Sequence, residues 1–210
     1  MLKIVKVRVE IIIFEKLNDL NNLLLMSLEK FIFCLEAVPD SENPIETSIL
    51  KGLEQLALQG IDSIYNYCDS IEELEERLGV LVYDDAHFKE YEIIYLVMQG
   101  NKNAIQFNDY NYTLTEIAEL FEGKMKEKII HFSNTKPLDL TQEEAQFFLD
   151  VSGARAISGY GLNSVSVNSL PLDQLFFAIC QEESDLINVV EIMHEKQYLA
   201  CKALNFRLYY

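Results

Sequence analysis

The sequence predicts a three-layer α/β/α domain, in which helices cover both faces of a mostly parallel central sheet. Strand-like and helix-like segments alternate after Met26, as in chains whose parallel strands are joined by helical crossovers. Several strand-like segments are continuous apolar runs, which is typical of strands that are covered on both faces. A chain of 210 residues therefore suits one such domain with a single core, plus a short appendage.

The first predicted strand–helix–strand unit spans residues 31–67. Residues 31–35 form a short apolar run that indicates a buried strand. Apolar residues at helical spacing predict a helix over residues 45–58, which we expect Gly60 to end. Residues 61–67 are rich in β-forming side chains and predict the next strand.

The next helix and strand are predicted over residues 71–78 and 91–98. Ser70 and Glu73 have the spacing of a capping box at the start of this helix. We expect Gly79 to end the helix, because glycine is common just after a helical segment. Residues 91–98 form the strongest run of strand-forming residues in the chain.

A small hairpin excursion is predicted over the asparagine-rich residues 101–112, before the next crossover helix. Either Thr113 or Thr115 is expected to cap that helix, and Gly123 to end it. Residues 128–132 are again apolar and predict a fourth central strand.

The last predicted strand lies between two helical regions. Thr141 and Glu144 form a second capping box, which opens a helix. Residues 154–158 predict a fifth strand that ends at the Gly-Tyr-Gly sequence of residues 159–161. The spacing of apolar residues predicts that the chain is helical from residue 169 onward.

Two regions are predicted, an appendage over residues 1–25 and the α/β domain over residues 26–210. Charged residues are interspersed with apolar ones over residues 3–9, and both alternating positions contain apolar residues, which suits an edge strand. The apolar run that follows is too short to span a membrane and lacks the cleavage site of a signal peptide. We also consider that Met26 is the natural start and that the earlier segment is a translated leader.

The net charge and the spacing of the cysteines argue against several classes of function. The formal net charge is −17, and such a field repels nucleic-acid phosphates and anionic lipid. We therefore expect neither nucleic-acid nor membrane partners. The four cysteines form no CxxC pair, which disfavours a zinc ribbon or redox motif. We expect reduced, mostly buried thiols and a cytoplasmic location.

Binding sites in open α/β sheets lie beyond the carboxyl ends of the strands. The predicted strand ends place a set of polar and flexible residues at this edge. They are Glu36, Cys68, Asp69, Gln99, Gly100, Ser133, Asn134, Thr135, Lys136, Gly159 and Tyr160. Lys136, beside two hydroxyl side chains, is the candidate for binding an anion at the approach to the next helix.

Four stretches in this order carry a resemblance to a known group of proteins. They are FIFCLE at residues 31–36, IYLVMQG at 94–100, IIHFSNT at 129–135 and GARAISGY at 153–160. The chain resembles bacterial members of the caspase, gingipain and CHAT group of cysteine peptidases, and within that group a small bacterial family of unknown function. The resemblance covers about Met26 to Cys180 and implies a caspase-like, flavodoxin-like topology.

The resemblance also implies that the catalytic pair of that group is replaced in this chain. In the group, a histidine base follows one central strand and a cysteine nucleophile follows the next. The corresponding positions here are Gln99 and Thr135. A glutamine amide cannot accept a proton near neutral pH, and a threonine hydroxyl without a base is a poor nucleophile. We therefore predict a catalytically inactive domain that binds a protein or peptide, or acts as a scaffold.

Two other functions remain as alternatives. One is a cysteine or threonine hydrolase with relocated chemistry, using Cys68 or Thr135. The other is a small-ligand-binding α/β domain with its ligand in the same crevice. A homodimer is a further expectation, with the C-terminal helices as the pairing surface. No cofactor is expected.

The histidines give no metal site in this interpretation. His131 lies in an apolar strand and is expected to be a core histidine with satisfied hydrogen bonds. His87 follows two aspartates in a predicted loop without further ligands at metal spacing. His194 lies among glutamates on a predicted solvated helix face.

Overall fold

The computed structural model describes residues 5–6, 31–37, 48–83, 91–107, 110–133, 139–161 and 168–210. His87 and most of the predicted appendage lie outside these residues. The elements in chain order are β1 (Val5–Lys6), β2 (Phe31–Ala37), α1 (Ser48–Ala57), β3 (Ser63–Cys68), α2 (Ile71–Tyr83), β4 (Tyr91–Val97), β5 (Gly100–Asn101), β6 (Ala104–Phe107), β7 (Tyr110–Thr113), α3 (Leu114–Leu120), β8 (Ile129–Phe132), α4 (Gln142–Ser152), β9 (Ala156–Tyr160), α5 (Leu170–Glu182), α6 (Leu186–Leu204) and β10 (Phe206–Tyr209).

Within the described ranges, the main sheet has the strand order β1-β3-β2-β4-β8-β9-β10. Its five inner strands run parallel, and the two outermost strands pair antiparallel. Every parallel connection contains a helix, as crossovers between parallel strands require. The predicted fold class, α/β with a mostly parallel sheet flanked by helices, is confirmed.

Two apolar clusters lie on the two faces of this sheet. The first joins β2, β4, β8 and β9 to α2, α3 and α4, with Leu74, Ile117 and Phe148 as members. The second joins the opposite faces of the same strands to α1, α5 and α6, with Leu53 and Phe176 as members. Because successive strand residues point to opposite faces, strands that are apolar throughout feed both clusters.

A smaller antiparallel sheet of β5, β6 and β7 follows β4. It is held to the beginning of α4 at two places. The Asp139 amide donates to the Lys102 carbonyl at 2.7 Å, and the Asn103 amide side chain donates to the Glu144 carboxylate. The predicted excursion of the chain at this point is therefore a three-stranded sheet that is anchored beside the ends of β4 and β8.

The starts of α3 and α4 agree with the sequence prediction, whereas the end of α2 does not. Thr113 caps α3 and Thr141 caps α4, each with a complete capping box. The predicted end of α2 at Gly79 is wrong, because the helix continues to Tyr83. A glycine ends a helix when it adopts positive φ, and Gly79 does not. Leu81 meanwhile stays buried against the sheet.

Two predictions about the last third of the chain are also corrected. β9 does not end before Gly159 but runs through Tyr160, because β10 continues the pairing by joining Phe206 to Tyr160 and Arg207 to Gly159. The chain after residue 169 is not helical throughout. Asn205 adopts a left-handed conformation at the end of α6, which lets the chain turn back into β10.

Candidate functional site

The strand order predicts a crevice at the carboxyl edge between β2 and β4. These neighbouring strands lead into α1 and α3, which pack on opposite faces of the sheet. Such a switch point leaves an opening beyond the strand ends, where ligands of open α/β sheets bind. Glu36 and Val97 are partners at the end of this strand pair, so Glu36, Gln99 and Gly100 belong to the rim of the crevice.

Glu36 is a fixed acidic group on this rim. Its side chain is partly buried, and the Tyr65 hydroxyl donates to its Oε2 at 2.6 Å. The neighbouring strand β3 thus holds the carboxylate in place through a tyrosine of its own. A carboxylate with one oxygen already engaged can still accept hydrogen bonds from a ligand.

Gln99 follows β4 at the same edge of the sheet. Its backbone carbonyl accepts from the Gln106 amide at 2.7 Å, and the following Gly100 pairs with Ile105. The small sheet therefore fixes the backbone here, while the Gln99 side chain is exposed and Gly100 is buried. An exposed primary amide at this position can donate and accept hydrogen bonds but cannot act as a base.

Ser133 follows β8 on the same edge. Its amide donates to the Leu96 carbonyl at 3.0 Å, which extends the β4–β8 pairing by one residue. Its Oγ is buried and has no hydrogen-bond partner among the described residues. Asn134, Thr135 and Lys136 lie outside the described residues, so the structure does not place these three predicted site residues.

Cys68 and Asp69 end β3 further along the edge. The Cys68 side chain is fully buried. Burial, together with the Glu73 and Asp69 carboxylates, raises the pKa of this thiol to about 12. A thiol must be deprotonated to act as a nucleophile, and this one stays protonated near neutral pH. The Asp69 amide donates to Glu73 at the start of α2.

Gly159 and Tyr160 are buried and do not present side chains to the crevice. Gly159 lies against β8, where a Cβ would stand 3.3 Å from the Phe132 carbonyl oxygen. The Tyr160 hydroxyl points into the core and donates to Asp173. The structure thus brings Glu36, Gln99, Gly100 and Ser133 to one edge, and places Tyr160 in a different environment.

That environment is a buried polar network centred on Asp173 of α5, which the sequence did not reveal. Asp173 has no exposed surface. Four hydrogen-bonding side chains contact it, one each from β4, β8 and β9 and one from the residue that precedes α5. The Tyr95 hydroxyl donates at 2.7 Å and the Ser169 hydroxyl at 3.1 Å, His131 Nε2 lies at 3.0 Å, and the Tyr160 hydroxyl also donates. The one available signal was an acidic residue on the apolar face of a predicted helix.

His131 connects this network to β9, because its Nδ1 lies 2.7 Å from the Ser158 hydroxyl. The sequence Ser158–His131–Asp173 has the chemical order of a serine–histidine–aspartate relay. His131 has no exposed surface, and Ser158 is only 2 % exposed. A relay that no substrate can reach does no acyl-transfer chemistry, so the network joins α5 to β4, β8 and β9 as a structural connection.

The comparisons with known proteins give a family but no activity. Residues 29–210 match the model of a family of unknown function, DUF6642. The chain belongs to this family. No curated protein matches. Among solved structures, the chain is similar to the Drosophila initiator caspase Dronc, with 11 % identity, a TM-score of 0.49 and coverage of 80 % of this chain and 72 % of that one. At this identity the likeness concerns the fold alone.

Across the part of the chain that the structure describes, no helix is both long enough and apolar enough to cross a bilayer.

Proposed function

We propose that this chain is a catalytically inactive caspase- or CHAT-like domain that binds a peptide segment of a protein partner in the crevice between β2 and β4. The observation that carries the proposal is Gln99. It occupies the position that the resemblance assigns to the catalytic base. Its side chain is exposed, while its backbone carbonyl is held by the Gln106 amide. An amide recognises the hydrogen-bonding groups of a peptide without transferring a proton.

The rest of the rim supports binding in the same way. Glu36 offers a fixed carboxylate, and the Ser133 hydroxyl at the end of β8 has no partner among the described residues. A partner with backbone N–H and C=O groups fits such a rim, because it supplies both donors and acceptors.

The hydrolase alternative with a relocated thiol has little support from the four cysteines. All four are buried, and burial raises the pKa values of Cys34 and Cys68. Reactive cysteines are partly exposed and have lowered pKa values. A hydrolase that uses Thr135 and a small-ligand-binding domain remain the alternatives, and the experiment below distinguishes them from a peptide-binding domain.

The test combines selection of peptides with an assay for hydrolysis. A phage-displayed library of random peptides is panned on the full chain, and the selected peptides are titrated against Gln99→Ala and Glu36→Gln. We expect both variants to weaken binding about tenfold or more, the effect of removing one hydrogen bond to a charged or fixed group. Gln59→Ala serves as the matched control, because Gln59 is exposed beyond the far end of α1.

The same peptides are incubated with the protein to look for cleavage. We expect no cleavage, and we expect all four thiols to react with a thiol reagent only after denaturation. Cleavage that disappears in Thr135→Ala would establish a relocated hydrolase. Peptide binding that survives in Gln99→Ala and Glu36→Gln, or no selected peptides at all, would place the function elsewhere.

A further inference from the structure

A groove with an acidic wall runs between α2 and α3, on the face of the sheet opposite α1, α5 and α6. It has a volume of about 390 Å³ and is lined by Glu72, Glu75, Glu76, Gly79, Leu120, Phe121 and Lys124. None of these residues belongs to the crevice between β2 and β4. The groove is therefore a second candidate surface, independent of the proposed function.

The wall formed by α2 is negatively charged. Glu72, Glu75 and Glu76 are all exposed, and their spacing of three and four residues places them along one side of the helix. Lys124 is the one cation among the lining residues, so the groove has an excess of negative charge. A surface of this sign attracts basic segments and repels acidic ones.

The floor of the groove is open above Gly79. A Cβ at this position would meet no atom within 4 Å, so close packing does not require a glycine. A left-handed turn does not require it either, because Gly79 has an ordinary helical φ. Glycine within a helix is less favourable than alanine, because it loses more backbone freedom on folding. Here the missing side chain leaves space beside the apolar Leu120 and Phe121.

Two tyrosines of β7 lie next to the start of α3, the other wall of the groove. Tyr110 and Tyr112 have ring centroids 4.7 Å apart, and Tyr110 is 60 % exposed. Tyrosine faces attract lysine and arginine cations.

We propose that this groove binds a lysine- and arginine-rich segment of another protein, with its cations on the α2 carboxylates and an apolar side chain over Gly79. Charge selects this occupant. A second copy of the chain is disfavoured because it carries 34 acidic against 17 basic residues. Nucleic acid carries charge of the same sign as the wall.

The test measures binding of a fluorescent lysine–leucine peptide to the full chain by anisotropy, with a glutamate–leucine peptide of equal length as the control. In the variant that combines Glu72→Gln, Glu75→Gln and Glu76→Gln, we expect about tenfold weaker binding. The matched variant combines Glu182→Gln, Glu191→Gln and Glu195→Gln, three exposed carboxylates on α5 and α6. It changes the net charge equally and is expected to bind as the parent does.

Gly79→Leu tests the floor separately from the charge. Leucine favours a helix more than glycine does and meets open space here, so the melting temperature is expected to stay equal or rise while peptide binding weakens. Equal loss of binding in the two glutamate variants, or unchanged binding in Gly79→Leu, would overturn the proposal. Gln99→Ala is expected to leave this binding intact, which separates a failure here from a failure of the proposed function.

Discussion

At the scale of single residues, Asp173 is the most constrained side chain in the described part of the chain. It is completely buried and receives donors from β4, β8, β9 and the cap of α5. A buried carboxylate is tolerated when its oxygens are fully engaged. Removing it would leave two tyrosine hydroxyls and a histidine without an acceptor, all of them inside the core.

We predict that Asp173→Ala lowers the free energy of unfolding by about 3–5 kcal/mol, the usual cost of breaking a buried hydrogen-bonded charge network. Urea unfolding followed by circular dichroism measures this change. Asp62→Ala is the matched control, because Asp62 is exposed, and it should change the unfolding midpoint little. A tolerated Asp173→Ala would show that the core repacks around the unpaired tyrosines.

At the scale of elements, the capping of α3 shows what local sequence can and cannot decide. Thr113 and Thr115 were equally good caps by sequence, since both precede the apolar face of the helix. The structure selects Thr113, whose hydroxyl accepts from the Glu116 amide at 3.2 Å while the Glu116 carboxylate accepts from the Thr113 amide at 2.7 Å. These bonds also lower the pKa of Glu116.

We predict that Thr113→Ala lowers the free energy of unfolding by about 1 kcal/mol, the typical cost of losing an N-cap side chain. Thr115→Ala is the control, because this residue lies one position inside the helix and is exposed. Thermal unfolding of the two variants under identical conditions makes the comparison. If both variants lose the same stability, the cap contributes nothing beyond the general effect of removing a threonine.

Local signals explain which elements could be predicted. The capping box at Thr141 depends on residues three apart, and the central strands depend on continuous apolar runs, so both were visible in the sequence. Gly79 misled the prediction because the sequence does not specify its φ. β10 was missed because its strand identity comes from pairing with β9, and nothing near residue 206 signals that partner.

The buried network around Asp173 could not be predicted because, like β10, it depends on contacts between residues that are far apart in the chain. The Tyr95 hydroxyl and Asp173 are 78 positions apart in the chain, and their meeting depends on how α5 packs on the sheet. Of the predicted crevice residues, Glu36, Gln99, Gly100 and Ser133 share one edge because strand topology alone fixes their place. Tyr160 was misjudged as a crevice candidate by position, since its orientation depends on the register with β10.

At the scale of the whole molecule, buried thiols and phenols set how stability depends on alkaline pH. Burial raises the pKa of Cys68 from 9.0 to about 12 and those of Cys34, Tyr95 and Tyr160 well above their ordinary values. The folded state therefore holds these protons more tightly than the unfolded state does. The stability that they contribute is present in full below about pH 9 and is lost as pH rises towards the folded pKa values.

We predict that the unfolding midpoint in urea falls steadily between about pH 8 and about pH 11, and that Cys68→Ala makes this fall shallower. Burial also lowers the pKa of Lys128, and this effect makes stability rise with pH. The slope of the unfolding midpoint against pH therefore reports the sum of the opposing contributions. Comparing slopes rather than absolute midpoints removes the cost of the smaller side chain. A midpoint independent of pH in this range would contradict the burial of these groups.

The contact between β10 and the connection from β8 to α4 has a consequence for how the protein is made. Arg207 bonds to the Asp139 carboxylate at 2.7 Å, and the Tyr209 hydroxyl donates to the Leu140 carbonyl at 3.0 Å. These anchors are about seventy residues downstream of the segment they hold. During synthesis on the ribosome, residues 139–140 thus leave the exit tunnel long before their anchors do. Residues 139–140 can take up these contacts only after residues 207–209 have emerged.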